Sequence, residues 1–496
     1  MLMNILVAAS EVVPFAKTGG LADVAGALPL ALAELGHRVT VILPNYRACR
    51  RSGRPVRSTG MTLTIPIGTR RVEGEVLESS LGDGEVPVFL IDQPDYFDRD
   101  GLYQEGGKDY PDNSERFVFF SRAVLETIRL MELEIDVLHA NDWQTGLVPV
   151  YLETEYRRQE GLKSIGTLFT VHNLGYQGQF WHWDMLLTGL DWKLFNWQQL
   201  EFYGYLNLMK AGLVFADAIN TVSRRYAQEI QTSEYGHGLE GVLQSRRNDL
   251  YGIVNGIDYG VWNPAVDPHL AAHYDEQSVG KGKPQCKAAL QKRFKLPERP
   301  EVPVLGQIGR LADQKGWDLV AAVADELLRE DVQIVVLGTG EAKYHELLQE
   351  LVRRYPTKVG LMLGFDNGLA HQIEAGADMF LMPSRYEPCG LNQLYSLKYG
   401  TVPVVRATGG LADTIVDSTP PTLASGTATG FSFEPYNAAT FLQCVRRALG
   451  LWKDRAGWQR LVQNGMRQDW SWGHSAQEYL KVYEKVWTKR AQAVAV

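Results

Sequence analysis

The sequence predicts an α/β protein built as two units. Three observations lead there. Short apolar runs, each closed by turn residues, recur along the 496-residue chain and alternate with helical patterns. One polar, proline-bearing stretch at 264–303 interrupts the alternation, which then restarts. The hexamer Thr-Gly-Gly-Leu-Ala-Asp occurs twice, at 18–23 and 408–413. Strands that alternate with helices form parallel sheets covered on both faces.

In the first half the strand-like runs include 4–9, 38–43, 86–91, 137–140, 166–171 and 218–222, with helical patterns at 22–35 and 116–131. After the polar interruption, strand-like runs follow at 304–308, 332–337, 359–363, 379–382 and 402–405. The first unit is therefore expected at 1–257 and the second at 258–470, leaving a C-terminal segment 471–496. Within that segment 475–487 is amphipathic at helical spacing.

Length and composition narrow the function classes. A chain of 496 residues with 45% apolar content exceeds one ordinary core. A net charge of −8 and a pI near 5.8 argue against nucleic acid and anionic membrane as partners. No apolar run reaches membrane-spanning length. The first ten residues run into a strand pattern without a cationic, cleavable leader, so a cytoplasmic location is expected. Cys49, Cys286, Cys389 and Cys444 form no CxxC pair, so neither zinc nor a disulfide framework is indicated. The sequence Asp98-Arg-Asp100 has a DxD spacing but reads as a solvated turn, and neither metal nor cofactor is expected.

Several strand ends carry polar groups of possible chemical use. The first leads through Ser10-Glu11 to Lys17-Thr-Gly19-Gly20-Leu-Ala-Asp-Val. Two glycines before a helix let the backbone approach a ligand, and the helix start offers unpaired N–H groups and a positive dipole end. Lys17 adds a point charge suited to phosphate. The spacing is neither the GxGxxG fingerprint nor a P-loop. A second cluster, Gln307-Ile-Gly-Arg310-Leu-Ala-Asp-Gln-Lys315-Gly, follows another strand, where open α/β sheets bind ligands. Arg310 as a fork and Lys315 as a point charge suit a diphosphate. A third cluster, Pro383-Ser-Arg-Tyr-Glu387-Pro-Cys389-Gly390-Leu391-Asn392, places a glutamate after a strand. Asp142, His172 and Asn255 end first-unit strands, and Asp142 and His172 suit sugar hydroxyls. Each also has a plain structural reading: a solvated lysine, a basic loop, a helix-capping glutamate, a core histidine.

The ordered set SEVVPFAKTGGLADV, HANDWQTGL, FTVHNLGYQG, YGHGLEG, NGID, GRLADQKG, PSRYEPCGLNQLYSLKYGTVPVV and TGGLADT resembles the bacterial glycogen synthase and plant starch synthase family over essentially the whole chain. The resemblance implies the GT-B architecture: two facing Rossmann-like domains, a deep cleft between them, and a C-terminal helix crossing back to the first. It implies a retaining glucosyltransferase that moves glucose from ADP-glucose to the non-reducing end of an α-1,4-glucan. Lys17, Gly19 and Gly20 would then meet the donor, and Arg310 and Lys315 would neutralise its diphosphate. Glu387 matches the key acid that holds donor-glucose hydroxyls, within a loop that includes Cys389, Gly390 and Leu391. Asp142, His172 and Asn255 would line the glucose site. Thr408, Gly409 and Gly410 would approach the distal phosphate, and Phe365 would stack on adenine. Tyr395 stands where many related transferases carry a second acid, which removes a two-carboxylate mechanism. Asn392 replaces a threonine of some bacterial relatives. A front-face reaction follows, with the His172 carbonyl near the developing positive charge. Trp181, Trp183 and Trp197 could instead serve a non-catalytic glucan-binding module, which Lys17, Arg310 and Glu387 argue against; their expected role is core packing.

Overall fold

The computed structural model describes residues 2–159 and 161–495. The chain divides into two compact units, one formed by Met1–Val222, Ala227–Gly256 and Trp472–Val496, the other by Ser223–Tyr226 and Ile257–Ser471.

The first unit is organised on a nine-stranded sheet. From one edge its strands are Leu250–Gly252, Ala218–Thr221, Gly166–Val171, Val137–Asn141, Asn4–Ala8, Arg38–Pro44, Val86–Asp92, Arg70–Leu81 and Arg57–Ile67. The first seven run parallel. Except in the half-buried edge strand Leu250–Gly252, their Val, Ile and Leu residues are buried on both faces, as parallel strands between helical layers require. The last two are antiparallel, so the sheet is mixed rather than wholly parallel. They form a long hairpin turning at Gly68, whose φ of +58° favours glycine. Its signal in the sequence is alternation: Leu63, Ile65 and Ile67 are buried while the residues between them face water. Helix Asn113–Leu130 packs on this edge.

Helix Trp472–Ala495 belongs to the first unit and lies on helix Gly20–Glu34 and strand Gly166–Val171. A Cβ on Gly166 would come within 2.5 Å of Val486, so only glycine admits the helix this close. His139 fastens it further, with Nδ1 2.8 Å from the Tyr483 hydroxyl and Nε2 2.7 Å from Thr170 Oγ1. Burial pushes this imidazole down to about 3, so it is neutral at physiological pH.

The second unit has a six-stranded sheet in the order Val359–Leu363, Gln333–Gly338, Val304–Ile308, Met379–Met382, Val402–Arg406 and Phe431–Phe433, every pair parallel. The polar stretch 264–303 is more structured than its composition suggests. It contains helix Val279–Arg293, which packs on helix Asn367–Gly376. Two of its lysines, Lys283 and Lys287, turn inward. Lys283 Nζ donates to Ala375 O at 3.0 Å, Tyr399 O at 3.1 Å and Thr401 Oγ1 at 2.6 Å. Lys287 Nζ lies 2.7 Å from the buried Asp378 carboxylate. Long aliphatic stems fill apolar space while the ammonium groups find acceptors.

The tryptophans depart from expectation. Trp181, Trp183 and Trp197 are exposed rather than packed in the core. Among the described residues no helix is long and apolar enough to cross a membrane.

Candidate functional site

In the second unit, two strand ends build one cavity. Strand Val304–Ile308 runs into Gly309 and Arg310, then a tight turn at Asp313–Lys315, then helix Trp317–Leu327. Gly316 links turn to helix with φ +77°, and a Cβ there would lie 2.1 Å from Pro383 O. That contact forces the Lys315 turn against the loop that follows strand Met379–Met382. Asn392 ties the same two segments, donating from Nδ2 to Ile308 O at 3.0 Å.

The cavity measures about 230 Å³, and its polar lining comes from Gln307, Lys315, Ser384, Glu387 and Asn392. Lys315 Nζ lies 2.6 Å from Glu387 Oε2, and Ser384 Oγ donates to the same oxygen at 3.0 Å. Glu387 is buried, whereas Lys315 keeps about a quarter of its side chain in solvent. A pair of this kind presents both charges to an incoming ligand: the ammonium suits an anion and the carboxylate suits hydroxyl donors. Gly390 and Leu391 also line the cavity.

Behind Glu387 the backbone is tightly held. Gly410 N–H donates to Glu387 O and Pro388 O, both at 3.1 Å. A Cβ on Gly409 would meet Glu387 O at 2.0 Å, and one on Gly410 would meet Cys389 O at 2.0 Å. The second Thr-Gly-Gly turn therefore commits at least the Gly410 amide to the protein, not to a phosphate, and its glycines admit the Glu387 loop. Gln393 Nε2 also braces that loop, donating to Cys389 O at 3.0 Å and Gly390 O at 3.1 Å. Cys389 and Thr408 are buried beside it. Arg310 does not line the cavity; it is exposed and donates to Gln314 Oε1 at 2.8 Å. Phe365, following Gly364, stands 91% exposed.

In the first unit the loop before helix Gly20–Glu34 is organised by Glu11, a residue not singled out from the sequence. Its carboxylate accepts the amide of Thr18, the amide of Gly19 at 3.1 Å and the Thr18 hydroxyl at 2.6 Å. Tyr103 O–H donates to the same carboxylate at 2.8 Å. Two of the amides expected to stay unpaired are thus already occupied. An acid seven residues before a Thr-Gly-Gly turn is the signal that would have found it. A Cβ on Gly19 or Gly20 would meet nothing within 4 Å, so no packing in the fold demands these glycines. Lys17 Nζ pairs with Asp23 at 2.6 Å in an exposed bridge.

Asp142 and His172 end adjacent strands. The His172 amide donates to Asp142 Oδ1 at 2.8 Å. Asp142 holds φ +55°, a conformation costing a non-glycine residue about 1 kcal/mol or more. Burial pushes its carboxyl up to about 7, and the nearby Glu11 charge adds to the rise. Burial likewise pushes the His172 imidazole down to about 3, so the ring is neutral. Its Nε2 lies 2.9 Å from Asn141 Oδ1, an acceptor, which places the ring proton on Nε2. Asn255 is buried, and its Oδ1 has no hydrogen-bond partner among the described residues. Such an atom carries the full cost of lost solvation unless a ligand satisfies it.

Known proteins resemble this chain over its whole length. The family model described as "Starch synthase catalytic domain" matches residues 4–245, and "Glycosyl transferases group 1" matches residues 289–464. Glycogen synthase of Koribacter versatilis is 48% identical over 489 residues, covering 99% of each chain. That of Anaeromyxobacter dehalogenans strain 2CP-1 is 50% identical over 483 residues, covering 97% of this chain and 98% of its own. Among solved structures, the catalytic domain of starch synthase IV from Arabidopsis thaliana, bound to ADP and acarbose, matches with TM-score 0.90 at 32% identity, covering 98% of this chain and 100% of that one. Sucrose-phosphate synthase from Thermosynechococcus elongatus shares the fold, with TM-score 0.59 at 16% identity over 98% of this chain and 100% of that one. Two α/β units matched in this order define a glycosyltransferase of the GT-B architecture. The chain belongs to the glycogen synthase and starch synthase family.

Proposed function

We propose that the chain transfers glucose from ADP-glucose to the non-reducing end of an α-1,4-glucan with retention at the anomeric carbon. The observation that carries this reading is the Lys315–Glu387–Ser384 constellation in a cavity at the carboxyl ends of parallel strands. In the proposed reaction Lys315 and the solvent-facing Arg310 bind the diphosphate. Drawing Lys315 toward phosphate frees Glu387 to accept donor-glucose hydroxyls. The bond from the anomeric carbon to the phosphate oxygen breaks, and ADP departs against the cationic pair. The acceptor 4-hydroxyl attacks the same face, and its proton passes to the departing phosphate.

The remaining residues take supporting roles in this proposal. Phe365 supplies an open aromatic face for adenine. Gly390 and Leu391 shape the cavity, and Cys389, Thr408, Gly409 and Gly410 hold the Glu387 loop. Asp142, His172 and Asn255 bind glucose hydroxyls, the last with its unpaired oxygen. Lys17 binds donor phosphate through its charge, and Gly19 and Gly20, having no side chain, let that phosphate approach the start of the helix at Gly20. The His172 carbonyl lies near the anomeric carbon in this reaction. The four cysteines are free and buried, which suits the reducing cytoplasm.

Radiolabelled transfer to glycogen from ADP-glucose and from UDP-glucose tests the reading. Incorporation from ADP-glucose into amylase-sensitive product is expected. No transfer, or transfer that strongly prefers UDP-glucose, overturns it.

A further inference from the structure

Seven aromatic side chains between Tyr176 and Tyr205 are exposed, against only Phe365 elsewhere among the described residues. They do not sit on a loose loop. The segment carries a three-stranded antiparallel sheet of Gln179–Trp181, Tyr205–Asn207 and Glu201–Phe202. Trp181 stands directly opposite Tyr205 in its register, which puts both rings on one face. Trp183 lies 6.4 Å from Trp181 and 5.5 Å from Trp192, ring centre to ring centre. The loop carrying Trp197 is tied from beneath: buried Lys210 donates to Trp197 O at 2.5 Å and to Glu201 O at 2.6 Å. Asp191 caps the turn at Trp192–Leu194. Trp197 is nevertheless 75% exposed on this fixed backbone. Tyr203 occupies a left-handed turn position, φ +49°, beside Gly204, and is 79% exposed. A hairpin turn of this type favours Asn or Gly at that place. The ring is held edge-to-face on Phe202, centres 4.7 Å apart, while most of its surface still faces solvent.

From this fixed, outward-facing set of rings we infer that the Trp181–Tyr205 surface is a binding platform for α-glucan chains, separate from the residues that handle the donor. Sugar rings present C–H faces that lie flat on indole and phenol rings, with hydroxyls left to reach a polar rim. The rim is present: Gln179 and Gln198 are exposed among the aromatics. Leu186 is the one aliphatic side chain among the exposed large apolar residues of this segment, so the chemistry is that of a sugar platform, not a lipid-facing surface. The inference rests on the proposed glucan acceptor. An enzyme that extends a polymer one unit at a time gains from holding that polymer, because tethering raises the local concentration of chain ends.

The test uses the full chain with Trp181→Ala, Trp197→Ala and the double variant, all at exposed positions. Each is run through native gels with and without glycogen, and assayed with glycogen and with maltotriose. Loss of glycogen retardation is expected, with KM for glycogen raised about fivefold or more, as for loss of a binding hot spot. Kinetics with maltotriose should stay unchanged. Unchanged retardation and unchanged KM for glycogen overturn the inference. So does a change in oligomeric state on size exclusion with glycogen binding intact, which would assign the surface to a protein partner. If the unaltered enzyme fails to glucosylate even maltotriose, the proposed function fails instead.

Discussion

Replacing Asp142 by Asn should stabilise the protein at neutral pH and inactivate it. The carboxyl is pushed up from its ordinary value of 3.8 to about 7, chiefly by burial. Between those two pH values the unfolded chain has released this proton and the folded chain has kept it. The folded state therefore binds more protons, and stability falls as pH rises through the window. Across that window each pH unit removes about 1.4 kcal/mol, so its width of roughly three pH units destabilises the folded enzyme by about 4 kcal/mol above pH 7. Asparagine never ionises and escapes this cost. It tolerates the positive φ as well as aspartate does, and its oxygen still accepts the His172 amide. Thermal unfolding followed from pH 4 to 8 is the assay. The variant's Tm should exceed that of the native enzyme by about 8 °C at pH 8, and the gap should close toward pH 4. Transfer activity should fall because the charged acceptor of sugar hydroxyls is gone. A Tm difference that is constant across this range, or an Asn variant that is less stable at pH 8, would refute the burial argument.

Glu387→Gln should fold normally yet lower kcat by at least about 100-fold, the usual effect of losing a positioned transition-state contact; near-native turnover of the purified variant would remove Glu387 from the chemistry. The two glycine turns should behave oppositely. Gly409→Ala forces a Cβ to within 2.0 Å of Glu387 O at φ +45° and should cost about 2 kcal/mol or more by urea titration. Gly20→Ala meets nothing within 4 Å and should leave stability intact while raising KM for ADP-glucose; equal stability losses in both would contradict this contrast. Lys287→Met leaves the Asp378 carboxylate buried without its cation and should cost about 3–5 kcal/mol, read as a lowered denaturation midpoint without loss of donor affinity.

The α/β class was legible in the sequence because parallel strands buried on both faces must be short, apolar and separated by helices. The antiparallel hairpin Arg57–Leu81 was not read out, because only one face of its edge strand is buried and its alternation is diluted by polar residues. Helix Val279–Arg293 was hidden for a related reason. Its buried lysines look like surface until tertiary carbonyls and Asp378 are placed around them. The tryptophans misled in the opposite direction, since hydrophobicity alone does not say which rings find a core.

At the site, the motifs by themselves determined that Glu387, Lys315, Asp142 and His172 stand at strand ends, because strand and turn patterns are local properties of the chain. Only the tertiary structure decided their chemistry. It brought Lys315 to 2.6 Å from Glu387 although 72 residues separate them. It gave Glu11 the amides of Thr18 and Gly19. It also committed the Gly410 amide to the Glu387 loop, although the same hexamer at 18–23 leaves its glycines open. Identical local sequences diverged because close approach, desolvation and hydrogen-bond saturation depend on what the rest of the chain packs against them.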